Sequence, residues 1–365
     1  MSSLSLGIVG LPNVGKSTLF NALLKSEQAL AANYPFATID PNVGIVQVPD
    51  PRLEVLARLV QPEKVVPAVV EFWDIAGIVK GASTGEGLGN QFLSNIRQTS
   101  ALILVTRCFA GETIHVHGKV DPIYDLETVL LELILADLET TAKGIERFKR
   151  AAKGGDTTAQ ACLDFAERIY ACLEAEQPAN SLLPTADGDH LALRELQLLT
   201  SKPFLVVANI DESQLASASL YADYGFAKFV TPERFVPICA QVEAELSSLP
   251  DEERLEFMES YGMKDSGMDR LAQAAYTLLN LRTFFTAGPK EAKAWTITAG
   301  MTAPLAAGVI HTDFIKGFIR AETIAYADYA KYGGETGAKE AGRLRLEGKE
   351  YVVEDGDVMH FRING

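Results

Sequence analysis

The hydrophobic positions of the chain predict an alternation of short, continuously apolar segments with longer amphipathic ones. Residues 4–9, 65–73, 101–107, 204–209 and 235–239 are runs rich in Val, Ile, Leu and Phe, which predict strands, and the continuously apolar run at 101–107 is typical of a strand covered on both faces. Helical spacing of apolar residues fills the intervals between these runs. Strands that alternate with helices form a mostly parallel sheet, so the pattern predicts an α/β fold with ligand chemistry at the carboxyl edge of the strands.

A helical segment interrupts this alternation between about residues 126 and 199. Its apolar residues recur at helical spacing in two stretches, and Lys153-Gly154-Gly155-Asp156 separates the stretches with a turn-like sequence. We therefore predict an antiparallel helical hairpin inserted into the sheet domain. The two apolar stripes consist of Leu126, Val129, Leu130, Leu133, Ile134 and Leu138 in the first helix, and Leu163, Ala166, Ile169, Tyr170 and Leu173 in the second.

From about residue 280 the pattern changes to short strand-like pieces separated by Gly, Pro and Asp turns. The pieces cover residues 294–298, 349–353 and 358–362, and one helical stretch lies near residues 311–320. The chain is therefore predicted to have two domains, an α/β domain over residues 1–279 and a small β-grasp-like α+β module over residues 280–365.

The first predicted strand leads directly into a phosphate-binding motif. Residues 10–17, Gly-Leu-Pro-Asn-Val-Gly-Lys-Ser, match G-x-x-x-x-G-K-[ST], and a predicted helix over residues 17–25 follows. The glycines let backbone N–H groups surround a polyphosphate, and the helix N-terminus adds a positive dipole end. Lys16 is expected to act in catalysis by reaching the β- and γ-phosphates, and Ser17 to bind Mg²⁺. The predicted nucleotide contacts are Asn13, Val14, Gly15, Lys16, Ser17 and Thr18.

Two further motifs are typical of NTPases that sense the γ-phosphate. Trp73-Asp74-Ile75-Ala76-Gly77 ends the second predicted strand, which would place Asp74 in the Mg²⁺ shell and the Gly77 N–H near the γ-phosphate. The second is Thr38, which lies between the phosphate-binding motif and residues 73–77 and could offer its hydroxyl to the metal. Each signal is weak alone, but their order along the chain indicates a switch-type P-loop NTPase.

These motifs and several others carry a family resemblance that covers essentially all 365 residues. The matching phrases lie at residues 10–18, 34–41, 74–82, 85–90, 311–314 and 317–320. On these phrases the chain resembles the Obg-like ATPase (YchF) family, in the translation-factor class of P-loop NTPases. The resemblance implies a G domain with a helical-hairpin insertion, a C-terminal TGS domain, ATP preferred over GTP, and the ribosome or a ribosomal subunit as partner.

The residues after the fourth predicted strand make guanine specificity doubtful. A guanine-specific N-K-x-D motif stacks its Lys on the base and binds the base edge through its Asp. This chain has Asn209-Ile210-Asp211-Glu212, so Ile210 replaces the Lys and Glu212 is one methylene longer than the Asp. Each lost charge-assisted bond costs about 1.5–3 kcal/mol. We expect Asn209 and the Ile210 backbone to contact adenine, and the alternative is a simple capped turn between strand and helix.

The group that orients the attacking water is less evident. The residue after Asp-x-x-Gly is Ile78, whose aliphatic side chain cannot orient water, so hydrolysis is expected to be slow. His115 lies in a polar loop after the third predicted strand, and the family resemblance implies a catalytic role for it. A surface-loop histidine without a role in catalysis is the alternative.

Composition limits the class of protein and its partners. The chain has 48 acidic and 33 basic side chains, and a net charge of −15 argues against indiscriminate coating of nucleic acid or anionic membrane. A basic cluster nevertheless lies near the predicted hairpin tip, formed by Arg147, Lys149, Arg150 and Lys153. The four cysteines have no disulfide or zinc spacing, and no signal peptide or membrane span is evident. We expect a cytoplasmic monomer with no membrane association.

Three functions remain open at this point. The first is a slow Mg²⁺-dependent ATP hydrolase that acts as a nucleotide-controlled switch on the translation machinery. The second is an Obg-type GTPase switch, which differs only in the choice of base. The third is an RNA- or protein-binding adaptor in which the nucleotide is a structural ligand, with RNA contact through the helical tip or the TGS domain as an open alternative.

Overall fold

A computed structural model describes residues 5–28, 43–75, 88–109 and 120–364. The strands in these ranges are β1 (Ser5–Val9), β2 (Val43–Gln47), β3 (Lys64–Val66), β4 (Val69–Asp74), β5 (Ala101–Arg107), β6 (Phe204–Asn209), β7 (Phe235–Ile238), β8 (Leu281–Ala287), β9 (Glu291–Thr298), β10 (Phe318–Ala325), β11 (Arg345–Glu347) and β12 (Asp357–Ile363).

The longer helices are α1 (Lys16–Gln28), α2 (Pro51–Val60), α3 (Leu88–Gln98), α4 (Pro122–Lys153), α5 (Thr157–Glu174) and α6 (Asp187–Leu196), followed by α9 (Asp251–Ser260), α10 (Gly267–Leu278) and α11 (Ala303–Ile310). The shorter ones are α7 (Leu220–Asp223), α8 (Ala240–Leu246), α12 (Asp313–Gly317), α13 (Tyr326–Lys331) and α14 (Glu335–Glu340).

The first sheet has the strand order β2-β4-β1-β5-β6-β7. β1 pairs in parallel with β4 and β5, and the pairs β5–β6 and β6–β7 are also parallel. Every residue of β1 and of β5 is buried, which explains why these strands are continuously apolar in sequence rather than alternating. The predicted α/β fold with a mostly parallel sheet is confirmed.

The predicted helical hairpin is also present. α4 and α5 pack along each other and are joined by residues 154–156. Asp121 and Asp156 cap the two helices, because their carboxylates accept backbone N–H groups at 3.1 Å from Tyr124 and at 2.9 Å from Thr158. α6 adds a third, shorter helix that the hydrophobic pattern did not predict. The buried residues shared by these helices include Ile134, Phe148, Leu163, Phe165, Ile169, Ala192 and Leu196.

The second sheet has the order β11-β10-β12-β8-β9-β3. Its strands form two antiparallel hairpin-like pairs, β8–β9 and β10–β11, and β12 lies between them, antiparallel to β10 and parallel to β8. α11 packs against this sheet, as in a β-grasp fold, so the predicted fold class is confirmed here too. The core between helix and sheet contains Phe284, Ile297, Ala303, Ala306, Ala307, Phe318, Ala321 and Met359.

Three local predictions were wrong. Residues 65–73 form two strands rather than one, because Pro67 has no N–H for the ladder and the chain changes sheets there: β3 joins the second sheet beside β9, and β4 joins the first. The helix expected near residues 311–320 is confined to α12, after which β10 begins. Residues 349–353 contribute only an isolated bridge between Thr302 and Val352.

The described residues fall into two compact units. One holds residues 5–28, 43–44, 71–75, 88–109 and 120–268, and the other holds residues 45–70 and 269–364. This division differs from the predicted two domains in two respects. The boundary lies at residue 268 rather than at residue 279, and residues 45–70 belong to the C-terminal unit. Within that unit, Arg52 pairs with Asp355 at 2.7 Å and lies over the Phe285 ring.

Two chain-wide features concern the cysteines and the helices. All four cysteines are free, and burial raises the pKa of the Cys108 thiol to about 12. None of the helices in the described part of the chain has both the length and the apolar character needed to cross a membrane.

Candidate functional site

The predicted phosphate loop connects buried β1 to the first residue of α1. Two of its residues have left-handed backbone conformations, Asn13 with φ of 63° and Gly15 with φ of 95°. The helix begins at Lys16, and its first backbone bond runs from Leu19 N–H to Gly15 C=O at 3.0 Å. The loop therefore turns back over the N-terminus of α1, where free N–H groups can bind an anion.

Close neighbours leave little room for a side chain at the two glycines of the motif. A Cβ on Gly10 would lie 2.6 Å from the Val105 carbonyl oxygen, which belongs to β5. A Cβ on Gly15 would lie 2.0 Å from Nδ2 of Asn209, and Gly15 also needs a positive φ. No larger residue fits at either position without moving the backbone of β5 or the Asn209 side chain.

Lys16 lies inside the loop and supplies its positive charge. Its side chain is 9% exposed, and Nζ donates to the Leu11 carbonyl oxygen at 2.6 Å. Burial lowers the pKa of Lys16 to about 8, while the nearby Asp74 carboxylate acts in the opposite direction. A phosphate that replaced Leu11 as the partner of Nζ would favour the charged form of the lysine.

The residues expected to bind Mg²⁺ supply hard oxygen donors, which that ion prefers. Asp74 ends β4 directly beside Ile8 of β1 and is only partly exposed. Burial raises the pKa of the Asp74 carboxyl, and Lys16 lowers it. A divalent cation would stabilise this desolvated carboxylate. Ser17 is exposed at the start of α1, so its hydroxyl is available to a metal, and the donor set fits Mg²⁺.

Asn209 connects the phosphate loop to the loop expected to contact the base. Its side chain is 6% exposed, its Nδ2 donates to the Val14 carbonyl oxygen at 2.9 Å, and its Oδ1 accepts from the Ala240 N–H at 3.2 Å. Both bonds join segments that are far apart in sequence. Asn209 therefore holds the two loops together, whichever base is bound.

The next three residues each have a partner within the protein. Ile210 is 3% exposed, so its side chain packs in the interior and offers no platform for a base. The Asp211 carboxylate caps the following 3₁₀ turn (Glu212–Gln214) by accepting from the Ser213 N–H at 3.1 Å, so the capped turn considered as an alternative is present. The Glu212 carboxylate accepts from the Tyr261 hydroxyl at 2.7 Å, and this bond raises the Tyr261 pKa.

Sequence reasoning overlooked Phe109, which follows β5 at the same carboxyl edge. Its Cε1 lies 4.0 Å from the point that a Cβ on Gly15 would occupy. The guanidinium of Arg107 lies 4.4 Å from the centroid of the Phe109 ring. An aromatic residue directly after a strand that neighbours the phosphate-loop strand is the signal that could have indicated it.

The structure brings most of the predicted site residues to one edge of the first sheet. The residues found there are Asn13, Val14, Gly15, Lys16, Ser17, Thr18, Asp74, Asn209 and Ile210. Thr38, Gly77 and His115 lie outside the described residues. Within the described ranges, no group of three or more His, Cys, Asp or Glu side chains is arranged to hold a metal ion.

Two family models match the chain. The first, MMR_HSR1, is described as a 50S ribosome-binding GTPase and matches residues 5–137. The second, YchF-GTPase_C, is described as a protein of unknown function (DUF933) and matches residues 281–364.

Full-length relatives show the same relationship. The chain is 53% identical to the ribosome-binding ATPase YchF of Bacillus subtilis, with 99% of this chain and 100% of the relative covered. It is 52% identical to the protein of that name from Escherichia coli O157:H7, with 98% of each covered. The solved structure of the Schizosaccharomyces pombe YchF GTPase matches with a TM-score of 0.88 at 38% identity, covering 99% of this chain and 98% of that one. The chain therefore belongs to the YchF family of P-loop nucleotide hydrolases.

Proposed function

We propose that the protein is a slow, Mg²⁺-dependent ATP hydrolase that works as a nucleotide-controlled switch on the ribosome. The preference for ATP over GTP is supported mainly by the contacts of the loop after β6. Ile210 is buried where a guanine-specific site has its Lys, and the Glu212 carboxylate, in the Asp position, is bonded to the Tyr261 hydroxyl. A guanine base would therefore lose its stacking lysine and its bidentate carboxylate. Adenine needs neither and would be bound by Asn209 and the Ile210 backbone.

In this proposal the phosphates bind to the loop at the start of α1. Backbone N–H groups of residues 13–18 hold the α- and β-phosphates, and Lys16 moves from the Leu11 carbonyl to the β- and γ-phosphates. Gly77 donates its N–H to the γ-phosphate. Ser17, Thr38 and Asp74 would hold Mg²⁺, which when bound neutralises charge on the phosphate oxygens. Loss of the γ-phosphate would release Thr38 and Gly77 and so switch the state of the protein.

His115 is proposed to orient the attacking water, since Ile78 cannot. Removing a group of this kind costs two to four orders of magnitude in rate, on the order of the contribution of general acid–base catalysis. His115→Ala should therefore retain ATP binding while single-turnover hydrolysis falls by roughly a hundredfold or more. Unchanged turnover would reject the assignment.

The choice of base is tested by titrating the protein with fluorescent ATP and GTP analogues. The loss of one or two charge-assisted contacts to guanine predicts that ATP binds more tightly, by roughly one to two decades. Equal or tighter binding of GTP would favour a GTPase switch, in keeping with the name of the Schizosaccharomyces pombe YchF GTPase. Hydrolysis no faster than that of Lys16→Ala would favour an adaptor with a structural nucleotide.

Ribosome association is proposed because the bacterial relatives are named ribosome-binding ATPases. The test is co-sedimentation of the ATP-loaded and nucleotide-free protein with ribosomal subunits, with Lys16→Ala as the control that cannot load. A switch predicts that the two forms sediment to different extents. Identical sedimentation of all three samples would mean that the nucleotide does not control the association.

The proposed RNA contact at the hairpin tip rests on its four basic side chains. Arg147 and Lys149 pair with Glu195 at 2.8 Å and with Glu167 at 3.3 Å. Exposed ion pairs of this kind are worth about 0–1 kcal/mol, so they leave both residues available to RNA together with the exposed Arg150 and Lys153. The alternative site is the C-terminal domain. Neutralising all four residues should weaken RNA association, and unchanged association would show that the tip is only a solvated helix end.

We further propose that the protein is a cytoplasmic monomer, with a G domain over residues 1–279 and a TGS domain over residues 280–365.

A further inference from the structure

Arg107 is an arginine side chain enclosed in the first sheet beside the candidate site. It is the last residue of β5, it is 1% exposed, and it lies directly beside Asn209 in the parallel pairing of β5 with β6. β5 is also the neighbour of β1, the strand that leads into the phosphate loop. Arg107 therefore occupies the carboxyl edge between the phosphate loop and the base loop.

The contacts of Arg107 fix the residue two positions further along the chain. Its Nε donates to the Phe109 carbonyl oxygen at 3.2 Å, and its guanidinium carbon lies 4.4 Å from the centroid of the Phe109 ring. One contact restrains the Phe109 backbone and the other restrains its ring. The intervening residue is held as well, because the Cys108 N–H donates to the Asn209 carbonyl oxygen at 2.8 Å. The start of the loop after β5 is thus fixed in position.

The ring held in this way lies against the phosphate loop. The position of a Cβ on Gly15 would be 4.0 Å from Phe109 Cε1 and 2.0 Å from Asn209 Nδ2. Gly15 therefore lies next to both the Phe109 ring and the Asn209 amide. If the ring moved, the loop would lose one of these two neighbours, and its backbone N–H groups would be less well oriented for an anion.

We propose that Arg107 is a positioning residue for nucleotide binding, which acts by holding Phe109 against the phosphate loop. At 1% exposure its guanidinium is not open to a ligand that arrives from solvent, so it acts through Phe109 rather than by direct contact. A planar guanidinium suits this role, because it stacks on an aromatic face while donating in its own plane, which an ammonium cannot do. The proposal rests on the nucleotide site proposed above.

The test is a double-mutant cycle read out by the affinity for a fluorescent ATP analogue. Arg107→Met keeps an unbranched apolar side chain but removes the guanidinium with its charge and its donors, Phe109→Leu removes the ring, and the double variant combines both changes. Arg107→Met should weaken ATP binding roughly tenfold, the size of a desolvated cation–π contact. In the Phe109→Leu background the same change should cost much less, because the ring is absent and only the hydrogen bond from Arg107 Nε to the carbonyl of residue 109 is left to lose. Arg107→Lys should bind the ATP analogue more tightly than Arg107→Met but less tightly than the wild-type protein.

Steady-state kinetics separate positioning from a general loss of structure. The loss in Arg107→Met should appear as a KM for ATP raised about tenfold, with kcat changed much less. The matched control is Arg97→Met, because Arg97 also spans two elements, donating to the Thr140 hydroxyl at 3.1 Å, but lies outside the candidate site. This control should leave KM unchanged. If Arg107→Met does not fold, the same cycle is run with Arg107→Lys.

Three results would overturn the proposal: unchanged ATP affinity in Arg107→Met, additive losses in the double variant, or an equal rise in KM in Arg97→Met. Failure of the proposed function has a different signature. In that case the wild-type protein itself would show no nucleotide binding that Lys16→Ala abolishes.

Discussion

The two loops of the candidate nucleotide site are built in different ways. The phosphate loop depends on backbone conformation, with left-handed residues at Asn13 and Gly15 and two glycines that no larger side chain can replace without moving a neighbour. The base loop at residues 209–212 depends on side chains that bond to distant parts of the chain. A motif therefore identifies the first loop reliably, whereas the second is understood only from what its side chains contact.

Asn209 joins the phosphate loop to the base loop, and its contacts show most clearly how the two loops differ. Its position in the sequence predicts contact with a base. In the folded protein its amide bonds to the Val14 carbonyl oxygen and to the Ala240 N–H, so it also supports the phosphate loop. A change at this residue should affect both loops, whereas changes at Lys16 or Glu212 should affect one loop each.

The largest effect is expected from Lys16→Ala. The variant removes the cation proposed to contact two phosphates, and charge-assisted bonds are worth about 1.5–3 kcal/mol each. Binding of the ATP analogue should weaken by roughly a thousandfold, or about 4 kcal/mol. Lys143→Ala is the matched control, since Lys143 is an exposed lysine on α4 that pairs with Glu139. Comparable losses in both variants would contradict a specific role for Lys16.

A smaller effect is expected from Asn209→Ala, which tests the link between the loops. It leaves the buried Val14 carbonyl and Ala240 N–H without their side-chain partner, which should cost about 2 kcal/mol in the free energy of unfolding. ATP affinity should fall as well. Asn180→Ala is the control, because the exposed Asn180 amide donates to the Lys202 carbonyl at 3.3 Å. Denaturant unfolding of both variants measures the difference, and equal losses would show that Asn209 is not a special link.

Raising the pH should weaken ATP binding through the phosphate loop only, because the titrating residue, Lys16, lies in that loop. Burial places the Lys16 pKa at about 8 in the free protein, and a bound phosphate favours the protonated form. Above pH 8 the free lysine is mostly neutral, so binding must take up a proton, and ATP affinity should fall by up to about tenfold per pH unit. Calorimetry at pH 8.5 in buffers of different ionisation enthalpy should detect this uptake. Binding without proton uptake would contradict the assignment.

The same pKa has the opposite consequence for the stability of the free protein. An unfolded lysine has the ordinary value of 10.5, above the folded value of about 8. Between these two values the unfolded chain binds more protons than the folded chain, so the contribution of Lys16 to stability increases with pH across that window. Lys16→Met should remove this contribution, which denaturant unfolding at pH 8 and pH 10 would reveal.

The smallest effect is expected in the base loop. Glu212→Asp restores the residue type of a guanine-specific motif and shortens the side chain that now accepts from Tyr261. Because Ile210 remains buried in place of the lysine, GTP affinity should rise by less than about tenfold, with ATP binding little changed. Tyr261→Phe is the companion variant, since it frees the Glu212 carboxylate without altering its length. A full reversal of base preference in either variant would show that Ile210 matters little.

Some strands and turns could be predicted well from the sequence, because the local preferences of their residues agree with the environment of those residues in the folded protein. β5 spans residues 101–107 and β6 spans residues 204–209, as predicted, because strands buried on both faces need a continuous apolar run. The hairpin turn at residues 153–156 could be predicted because Gly155 adopts a left-handed φ and Asp156 caps the next helix. α11 was overlooked because its sequence, APLAAGVI, is apolar throughout and shows no helical periodicity.

The sequence by itself determined the two fold classes, the helical hairpin and the phosphate loop, since each depends on local chemistry: apolar periodicity, caps, and glycines where no Cβ fits. Only the tertiary structure decided that β3 joins the C-terminal sheet, that Asn209 supports the phosphate loop and that Arg107 holds Phe109. Strand partners and buried polar contacts depend on residues far apart in the chain. Folding brings those residues together to satisfy hydrogen bonds and to bury apolar surface, and no local pattern records which residues will meet.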